Sequence, residues 1–184
     1  MPLWEQKGET VGNRLVLAID GGTTHSGVVY AELTPDNPPR IIDAWPECEN
    51  KDLLALIITL PIDEVIVEWV ECFGMAVGKT TFEMVYWLGR FSERAEVHGL
   101  RVNRVTRRDV KLFLCQSMRA KDKNIRQAII DTYTRPDIPL GGGKQPWKGT
   151  KKEQGVLYKI ASHAWSALAL CCAYQDPLRG IGCE

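Results

Sequence analysis

The sequence has no long apolar run, no net charge and no CxxC motif, and each absence removes a class of protein. No stretch approaches the roughly 18 uninterrupted apolar residues that a transmembrane helix needs. Residues 1–14 lack a basic segment followed by an apolar one, so they are not predicted to be a signal peptide, and the expected compartment is the cytoplasm. The spacing of the six cysteines suits neither a zinc site nor a disulfide framework and predicts reduced, mostly buried thiols.

What is present is sufficient for one folded unit. The chain has 184 residues, of which 45% are hydrophobic and 25% are charged, an ordinary balance for a globular domain. No internal repeat is visible. We therefore predict a single domain over residues 1–184, with a flexible basic loop at 134–155, where glycine, proline and lysine are concentrated.

The zero net charge conceals an uneven distribution. Residues 1–100 contain 7 Lys and Arg against 16 Asp and Glu, whereas residues 101–159 contain 15 against 5. A fold that gathers the basic third on one side would attract a polyphosphate. The alternative, that these charges only solvate helix faces, stays open at this point.

The order of the periodic segments predicts an α/β fold. RLVLAID (14–20) is an apolar strand that ends in an acid before a glycine turn, and VIVEWV (65–70) is typical of a covered central strand. A long helical pattern covers 78–99, and a final apolar helix is predicted over 157–174. The order β-β-β-α-β-α-β-α-α-loop-α indicates a mixed five-stranded sheet with helices on both faces. The long helix has four apolar residues that we expect on one side: Phe82, Val85, Leu88 and Phe91.

Two acids stand in apolar strand context, and this is unusual. Asp20 ends the first strand and Glu68 lies within the central one. Because an isolated buried carboxylate costs several kcal/mol, such acids need a partner. A divalent cation is one candidate, since Mg²⁺ prefers a few carboxylates and keeps open positions for other oxygens. An ion pair with Lys or Arg, or simple exposure at the strand ends, is the other.

The final helix contributes a third candidate group. His163 and Ser166 are three residues apart and so share one helix face. An imidazole can complete a divalent site that two carboxylates begin. A lone histidine in such an apolar segment is also commonly a hydrogen-bonded core residue, and this alternative stays open.

Four segments together resemble the RuvC family of Holliday-junction resolvases, which have an RNase H-like fold. They follow in the family's order and cover residues 14–174, and the likeness is closest to phage and prophage RuvC-like proteins. The segments are RLVLAIDGGTTHSGVVY, VIVEWVECFGMAVGKTTFEMVYWLGRF, VKLFLCQSMRAKDKNIRQAIIDTY and GVLYKIASHAWSALALCCAY.

The resemblance implies a metal-dependent, structure-selective endodeoxyribonuclease that resolves Holliday or branched junctions. It places Asp20, Glu68 and His163 at the positions that bind two Mg²⁺ or Mn²⁺ ions, and Lys123 near a basic residue around the scissile phosphate. Ser166 falls where the family often has a fourth acid, and a hydroxyl is a poor Mg²⁺ ligand. A catalytically weak or inactive junction-binding protein is therefore the alternative.

The resemblance also implies the partners, which are branched or four-way DNA and a second copy of the chain. If the protein is phage-encoded, its compartment would be the cytoplasm of a bacterial host. The basic residues expected to bind DNA backbone phosphates are Arg101, Arg104, Arg107, Arg108, Lys111, Lys121, Lys144, Lys148, Lys151 and Lys152.

Two motifs resemble nucleotide-binding sites, but each lacks a feature that such a site requires. GMAVGKT (74–80) is one residue short of the GxxxxGKT phosphate loop, whose cradle depends on that length. The Asp-Gly-Gly-Thr-Thr turn after the first strand also suits the actin and sugar-kinase fold, where backbone N–H groups grip ATP phosphates. That fold needs two lobes, and 184 residues supply one.

Overall fold

The computed structural model describes residues 12–71, 74 and 76–174, and within them five strands and five helices follow in the predicted order. The strands are β1 (Arg14–Asp20), β2 (His25–Thr34), β3 (Asn37–Glu49), β4 (Glu64–Trp69) and β5 (Arg101–Thr106). The helices are α1 (Asn50–Thr59), α2 (Lys79–Val97), α3 (Arg107–Cys115), α4 (Asp122–Tyr133) and α5 (Ala164–Tyr174).

The five strands form one mixed sheet in the order β3-β2-β1-β4-β5, which confirms the predicted fold class. β1 runs antiparallel to β2 and parallel to β4, and β4 runs parallel to β5. Ile19 pairs with Val67 in these two parallel strands. The residues that follow them, Asp20 and Glu68, are therefore neighbours near the C-terminal ends of the strands. The pairing of β1 with β4 therefore joins two acids that are 48 positions apart in sequence.

Helices cover both faces of the sheet, as predicted. Alternate side chains of β1 and β4 point to opposite sides, because the side-chain period of a strand is two. Ala18 and Ile66 belong to the core that α3, α4 and α5 close, whereas Ile19 and Val67 belong to the core that α1 and α2 close. By the same alternation, Asp20 and Glu68 are on the side of α5.

The last helix begins at Ala164, so the prediction of a helix from residue 157 is wrong at its start. Residues 157–163 instead form tight turns, in which the amides of Tyr158, Ile160 and Ala164 donate to carbonyls three residues earlier. Ser162 has a φ of 41°, which an α-helix cannot accommodate. His163 consequently lies before the first helical turn, and α5 is buried almost entirely.

The predicted apolar side of α2 is correct for only half of its residues. Leu88 and Phe91 are buried against the sheet, but Phe82 is 66% exposed and Val85 is 42% exposed. The reason is geometric, since a spacing of three residues falls short of a 3.6-residue turn by about 60° at each step. Over nine residues the stripe rotates half-way round the helix, and its N-terminal part faces solvent.

The segment 134–155 is closed by its own backbone hydrogen bonds. The amide of Gly142 donates to the carbonyl of Glu153, and Gly149 and Gln154 form an isolated β-bridge. Trp147 anchors the segment by packing edge-on against Trp165 of α5. The flexibility expected from its composition stays a prediction.

The described cysteines Cys48, Cys115, Cys171 and Cys172 are all free, as expected for reduced thiols. Burial raises the pKa of Cys48 to about 11 and that of Cys172 to about 12, which makes both poor nucleophiles. Cys72, Cys183 and most of the N-terminal segment tested for a signal peptide lie outside the described residues. Among the helices that are described, none is long and apolar enough to cross a bilayer.

Candidate active site

A pair of carboxyl groups forms the centre of the candidate site. Asp20 at the end of β1 and Glu68 on β4 lie side by side, with side chains that are 16% and 19% exposed. The two groups are close enough for each to shift the pKa of the other.

The positive charge near Asp20 and Glu68 is too small to balance two ionised carboxylates. Burial raises the pKa of Asp20, and burial together with the neighbouring Asp20 raises the pKa of Glu68 to about 8. Arg107 lowers both values but does not offset the cost of burial. Two buried carboxylates whose charge is not balanced are the donor set that a hard divalent cation favours.

A second acid on the same strand shows the contrasting case. Glu64 is fully buried on the same face of β4, four residues before Glu68. It accepts hydrogen bonds from Arg14, Arg101, Asn103 and the Tyr174 hydroxyl at 2.6–3.0 Å. The ion-pair alternative is fully met by Glu64, which the sequence analysis did not single out, whereas Glu68 has only the 3.8 Å ion pair with Arg107.

The start of α5 supplies the other side of the site. His163 Nδ1 lies 3.4 Å from Asp20 Oδ2, and the Ser166 side chain is close enough to Asp20 to lower its pKa, against the larger opposite effect of burial. The amide of Ser166 donates to the carbonyl of His163, so the first turn of the helix fixes both residues. The partly positive N-terminus of a helix also favours nearby anions. The structure thus brings Asp20, Glu68, His163 and Ser166 together.

Gly27, which the sequence analysis missed, permits this close approach. It pairs with Asp20 across the β1–β2 ladder. A Cβ at Gly27 would lie 2.4 Å from the carbonyl carbon and oxygen of His163 and 2.6 Å from its Cβ. Only glycine leaves room there for the start of α5. An isolated glycine inside a β-rich segment was the available signal.

We expect Gly27→Ala to lower the melting temperature by several degrees, because overpacking costs about 1–3 kcal/mol and the obstructing atoms are backbone. Gly89→Ala is the matched control. Gly89 is exposed within α2 and has no neighbouring atom in the way, so alanine should stabilise the helix slightly. Thermal unfolding of both variants checks this prediction, which an unchanged Gly27→Ala melting temperature would contradict.

Arg107 is the cation nearest the carboxyl pair. Its Nη1 lies 3.8 Å from Glu68 Oε1 and donates to Ser166 Oγ at 3.5 Å, while its Nη2 pairs with Asp122. The N-terminus of α3 is fixed by a capping box between Thr106 and Asp109, and it places Arg107 in the first helical turn. Sequence reasoning grouped Arg107 with the DNA-binding residues and missed Asp122, because their proximity depends on the packing of α3 beside α4.

Two clefts meet at this arginine. The first has a volume of about 370 Å³, and its lining includes Glu68, Arg107, Arg108, Lys111 and Met118. The second has a volume of about 570 Å³, and its lining includes Arg107, Asp122, Lys123, Arg126, His163 and Ser166. The carboxyl pair therefore lies between two clefts with basic walls. Lys123 shares the second cleft with His163, which is where a group contacting a phosphate at this centre would need to be.

The remaining basic residues named from the sequence are distributed more widely. Arg101 pairs with Glu64 at the other end of β4, about 13 Å along the strand from Glu68. Arg104 stacks over the Trp69 ring at 4.1 Å, and Lys121 precedes α4. Lys144, Lys148, Lys151 and Lys152 belong to the segment 134–155. Their roles in DNA binding stay predictions.

The three expected metal ligands do not form a closed ligand set. Within the described residues, no three His, Cys, Asp or Glu side chains are arranged to hold one ion. Asp20 lies close to both of the other residues, but the ion pair of Glu68 is with Arg107 and not with His163. The donor chemistry fits a divalent ion, and the assignment of Asp20, Glu68 and His163 as its ligands is a proposal.

The solved structures with a similar architecture include two of Thermus thermophilus RuvC. Thermus thermophilus RuvC in complex with a Holliday junction substrate has a TM-score of 0.62 and 18% identity, over 87% of this chain and 92% of that chain. The chain has the RuvC fold. A second RuvC structure from this organism gives a TM-score of 0.60 and 15% identity, over 86% of this chain and 92% of that one. Compared as a sequence, the chain matches no protein-family model and no curated protein.

The RuvC fold agrees with the RNase H-like architecture that the sequence predicted. The mixed five-stranded sheet and the helices on both faces are common to both descriptions. At 18% identity, the likeness concerns the backbone. The fold alone does not determine the function, which depends on the side chains of this site.

Proposed function

We propose that this chain is a divalent-metal-dependent endonuclease that cuts Holliday or other branched DNA junctions. The observation that carries the proposal is the pair of buried carboxyl groups, Asp20 and Glu68, whose negative charge Arg107 only partly balances. The pair is located between two clefts with basic walls. The RuvC fold adds support, because the RuvC structure with 18% identity contains a Holliday junction substrate. Metal-dependent hydrolysis of a phosphodiester needs a cation-binding centre and a path for a polyanion, and these features support the assignment of both.

Each residue has a defined part in this proposal. Asp20, Glu68 and His163 hold two Mg²⁺ or Mn²⁺ ions, and such ions supply Lewis acidity at the scissile phosphate. Lys123 binds that phosphate from the second cleft, and Arg108 and Lys111 bind neighbouring phosphates in the first. The protein excludes water from one side of the acids by packing α5 over them.

The decisive experiment is cleavage of a labelled synthetic four-way junction with Mg²⁺ and with Mn²⁺. A linear duplex of the same sequence is the control for structure selectivity. We expect paired incisions in the junction and little cleavage of the duplex. ATP hydrolysis by the same protein without cleavage of any DNA would contradict the proposal and favour the kinase-type alternative.

A second candidate function is junction binding without cleavage, and Ser166 is the observation that favours it. Its hydroxyl lies beside Asp20, where the resemblance to RuvC implies a fourth acid, and it accepts a hydrogen bond from Arg107. Tight binding of a four-way junction without incision in either metal, at protein concentrations above the binding midpoint, would select this candidate.

A salt-dependent affinity is expected from the basic segment 101–159. Each neutralised phosphate releases condensed counterions, so affinity for a junction should fall more than about tenfold between roughly 50 and 200 mM salt. The double change Lys151→Glu and Lys152→Glu should flatten this dependence. Lys79→Glu, an exposed lysine of α2 in the acidic part of the chain, is the control and should leave it unchanged. An affinity insensitive to salt would contradict a basic DNA-binding surface.

We further propose that the protein acts as a homodimer, because a four-way junction presents two strands to cut. The solvent-facing side of α2 supports this proposal, since Phe82, Val85 and Tyr86 are 66%, 42% and 61% exposed on adjoining turns. We expect Phe82→Glu with Tyr86→Glu to give a monomer by light scattering after size exclusion. Val97→Glu, at the C-terminal end of α2, is the control. A double variant that remains dimeric would exclude this face.

A further inference from the structure

Arg107 connects a buried carboxylate to a carboxylate at the rim of the site. On its inner side, Nη1 lies 3.8 Å from Glu68 Oε1 and 3.5 Å from Ser166 Oγ. On its outer side, Nη2 makes a close ion pair with Asp122, whose side chain is 84% exposed. The arginine side chain itself is 31% exposed, so it is partly open to solvent at the mouth of the site.

The inner contacts are loose and the outer contact is close. Charge-assisted N–H···O hydrogen bonds usually measure about 2.7–2.9 Å, and both inner distances are well beyond that range. Arg107 therefore lies near Glu68 without forming the bidentate pair that guanidinium and carboxylate favour. Asp122 is the partner with which the side chain forms its closest ion pair.

We propose that Arg107 is a placeholder cation, which occupies the charge position beside Glu68 and Ser166 and withdraws toward Asp122 when a divalent ion binds. The inference rests on the proposed function, because it assumes that Asp20 and Glu68 bind such an ion. A guanidinium and a divalent ion repel each other when both face the same carboxylate. Asp122 acts as a positioning residue, since its ion pair keeps Arg107 at the rim, in the cleft that also contains Lys123.

Calorimetric titration of Mn²⁺ tests the inference without any measurement of activity. Removing the competing charge by Arg107→Gln should tighten Mn²⁺ binding by about ten- to a hundredfold. Arg107→Lys keeps the charge and should stay within about threefold of the wild type. Arg108→Gln removes a charge one position further along α3, in the first cleft only, and is the matched control. An Mn²⁺ affinity of Arg107→Gln that equals the wild-type value, or lies below it, would overturn the inference.

Thermal unfolding separates a placeholder from a structural arginine. Without divalent ions, Arg107→Gln should melt at a lower temperature than the wild type, because the carboxyl pair loses its nearest cation. With saturating Mn²⁺ that difference should disappear. A structural arginine would leave the same difference under both conditions, and this result would also overturn the inference.

A double-variant cycle tests the part played by Asp122. Asp122→Asn alone should weaken Mn²⁺ binding several-fold, because the released arginine then competes more strongly for Glu68. In the Arg107→Gln background the same change should have little effect. If the loss persists in that background, Asp122 acts on the ion directly and is not an anchor for Arg107.

Failure of the inference and failure of the proposed function give different results. Equal Mn²⁺ binding by the wild type and Arg107→Gln, absent in Asp20→Asn, overturns only the placeholder. No Mn²⁺ binding by any of these proteins overturns both. If Arg107→Gln binds Mn²⁺ and the wild type does not, Arg107 excludes the ion completely, which would support the inference most strongly.

Discussion

Asp20→Asn should lower the rate of junction cleavage by at least about a thousandfold, because it removes the carboxylate that contacts both Glu68 and His163. Junction affinity should change by no more than a few-fold, since the basic walls of both clefts remain. Single-turnover cleavage and binding in Ca²⁺ measure the two quantities separately. Glu32→Gln, an acid at the far end of β2 that pairs with Arg40, is the control. Retained cleavage by Asp20→Asn would exclude the proposed centre.

The same carboxyl pair should make the ion-free protein less stable as pH rises. The pKa of Glu68 is raised to about 8, so the folded state disfavours its ionised form. This destabilisation is absent below the pKa of the unfolded state, develops as pH rises, and is complete above pH 8. Glu68→Gln should therefore raise the melting temperature in EDTA on the order of 5 °C at pH 8 and hardly at all at pH 4. A lower melting temperature at pH 8 would show that the pair stabilises the fold.

Ser166→Asp should raise Mg²⁺-supported cleavage by at least about tenfold, and the wild type should cleave faster with Mn²⁺ than with Mg²⁺. Ser166 contributes a hydroxyl next to Asp20, whereas Mg²⁺ demands near-octahedral oxygen coordination and prefers carboxylates. Mn²⁺ accepts a nitrogen ligand such as His163 more readily. Cleavage rates of both proteins in both metals provide the measurement.

Ser166→Asn is the matched control for this change, because it has nearly the size of aspartate without its charge. It should not increase cleavage with either metal. If aspartate and asparagine lower the rate equally in both metals, Ser166 serves only to pack α5 against the sheet, and the explanation by a missing acid is wrong.

The acids and their strands could be predicted because the signal is local. Asp20 ends one apolar strand and Glu68 interrupts another. The parallel pairing of β1 with β4 then brings the two acids together. The start of α5 could not be predicted in this way, because residues 157–163 (LYKIASH) contain no glycine or proline that would mark a break before the apolar helix. Their turns are recognisable only from the positive φ of Ser162 and the three-residue hydrogen bonds.

The polar contacts between different helices and strands could not be predicted from the sequence either. Glu64 and Glu68 occur on one face of one strand, yet four donors surround the first, whereas the second has one ion pair, with Arg107 at 3.8 Å. The difference depends on β5 and on Tyr174 at the far end of α5. Likewise, the contact of Gly27 with His163 joins residues 136 positions apart, which no local pattern encodes.

The span of α5 has a consequence for how this chain can change in length. One end of the helix places Ser166 at Asp20, and the other end donates the Tyr174 hydroxyl to Glu64. Eight residues of helix extend about 12 Å, close to the roughly 13 Å between Glu64 and Glu68 on the strand beneath. Inserting or deleting one residue would shift one end by about 1.5 Å and rotate it by about 100°, so the two contacts could not both survive. Homologous chains should therefore keep the interval from 163 to 174 constant and vary in length within 134–155.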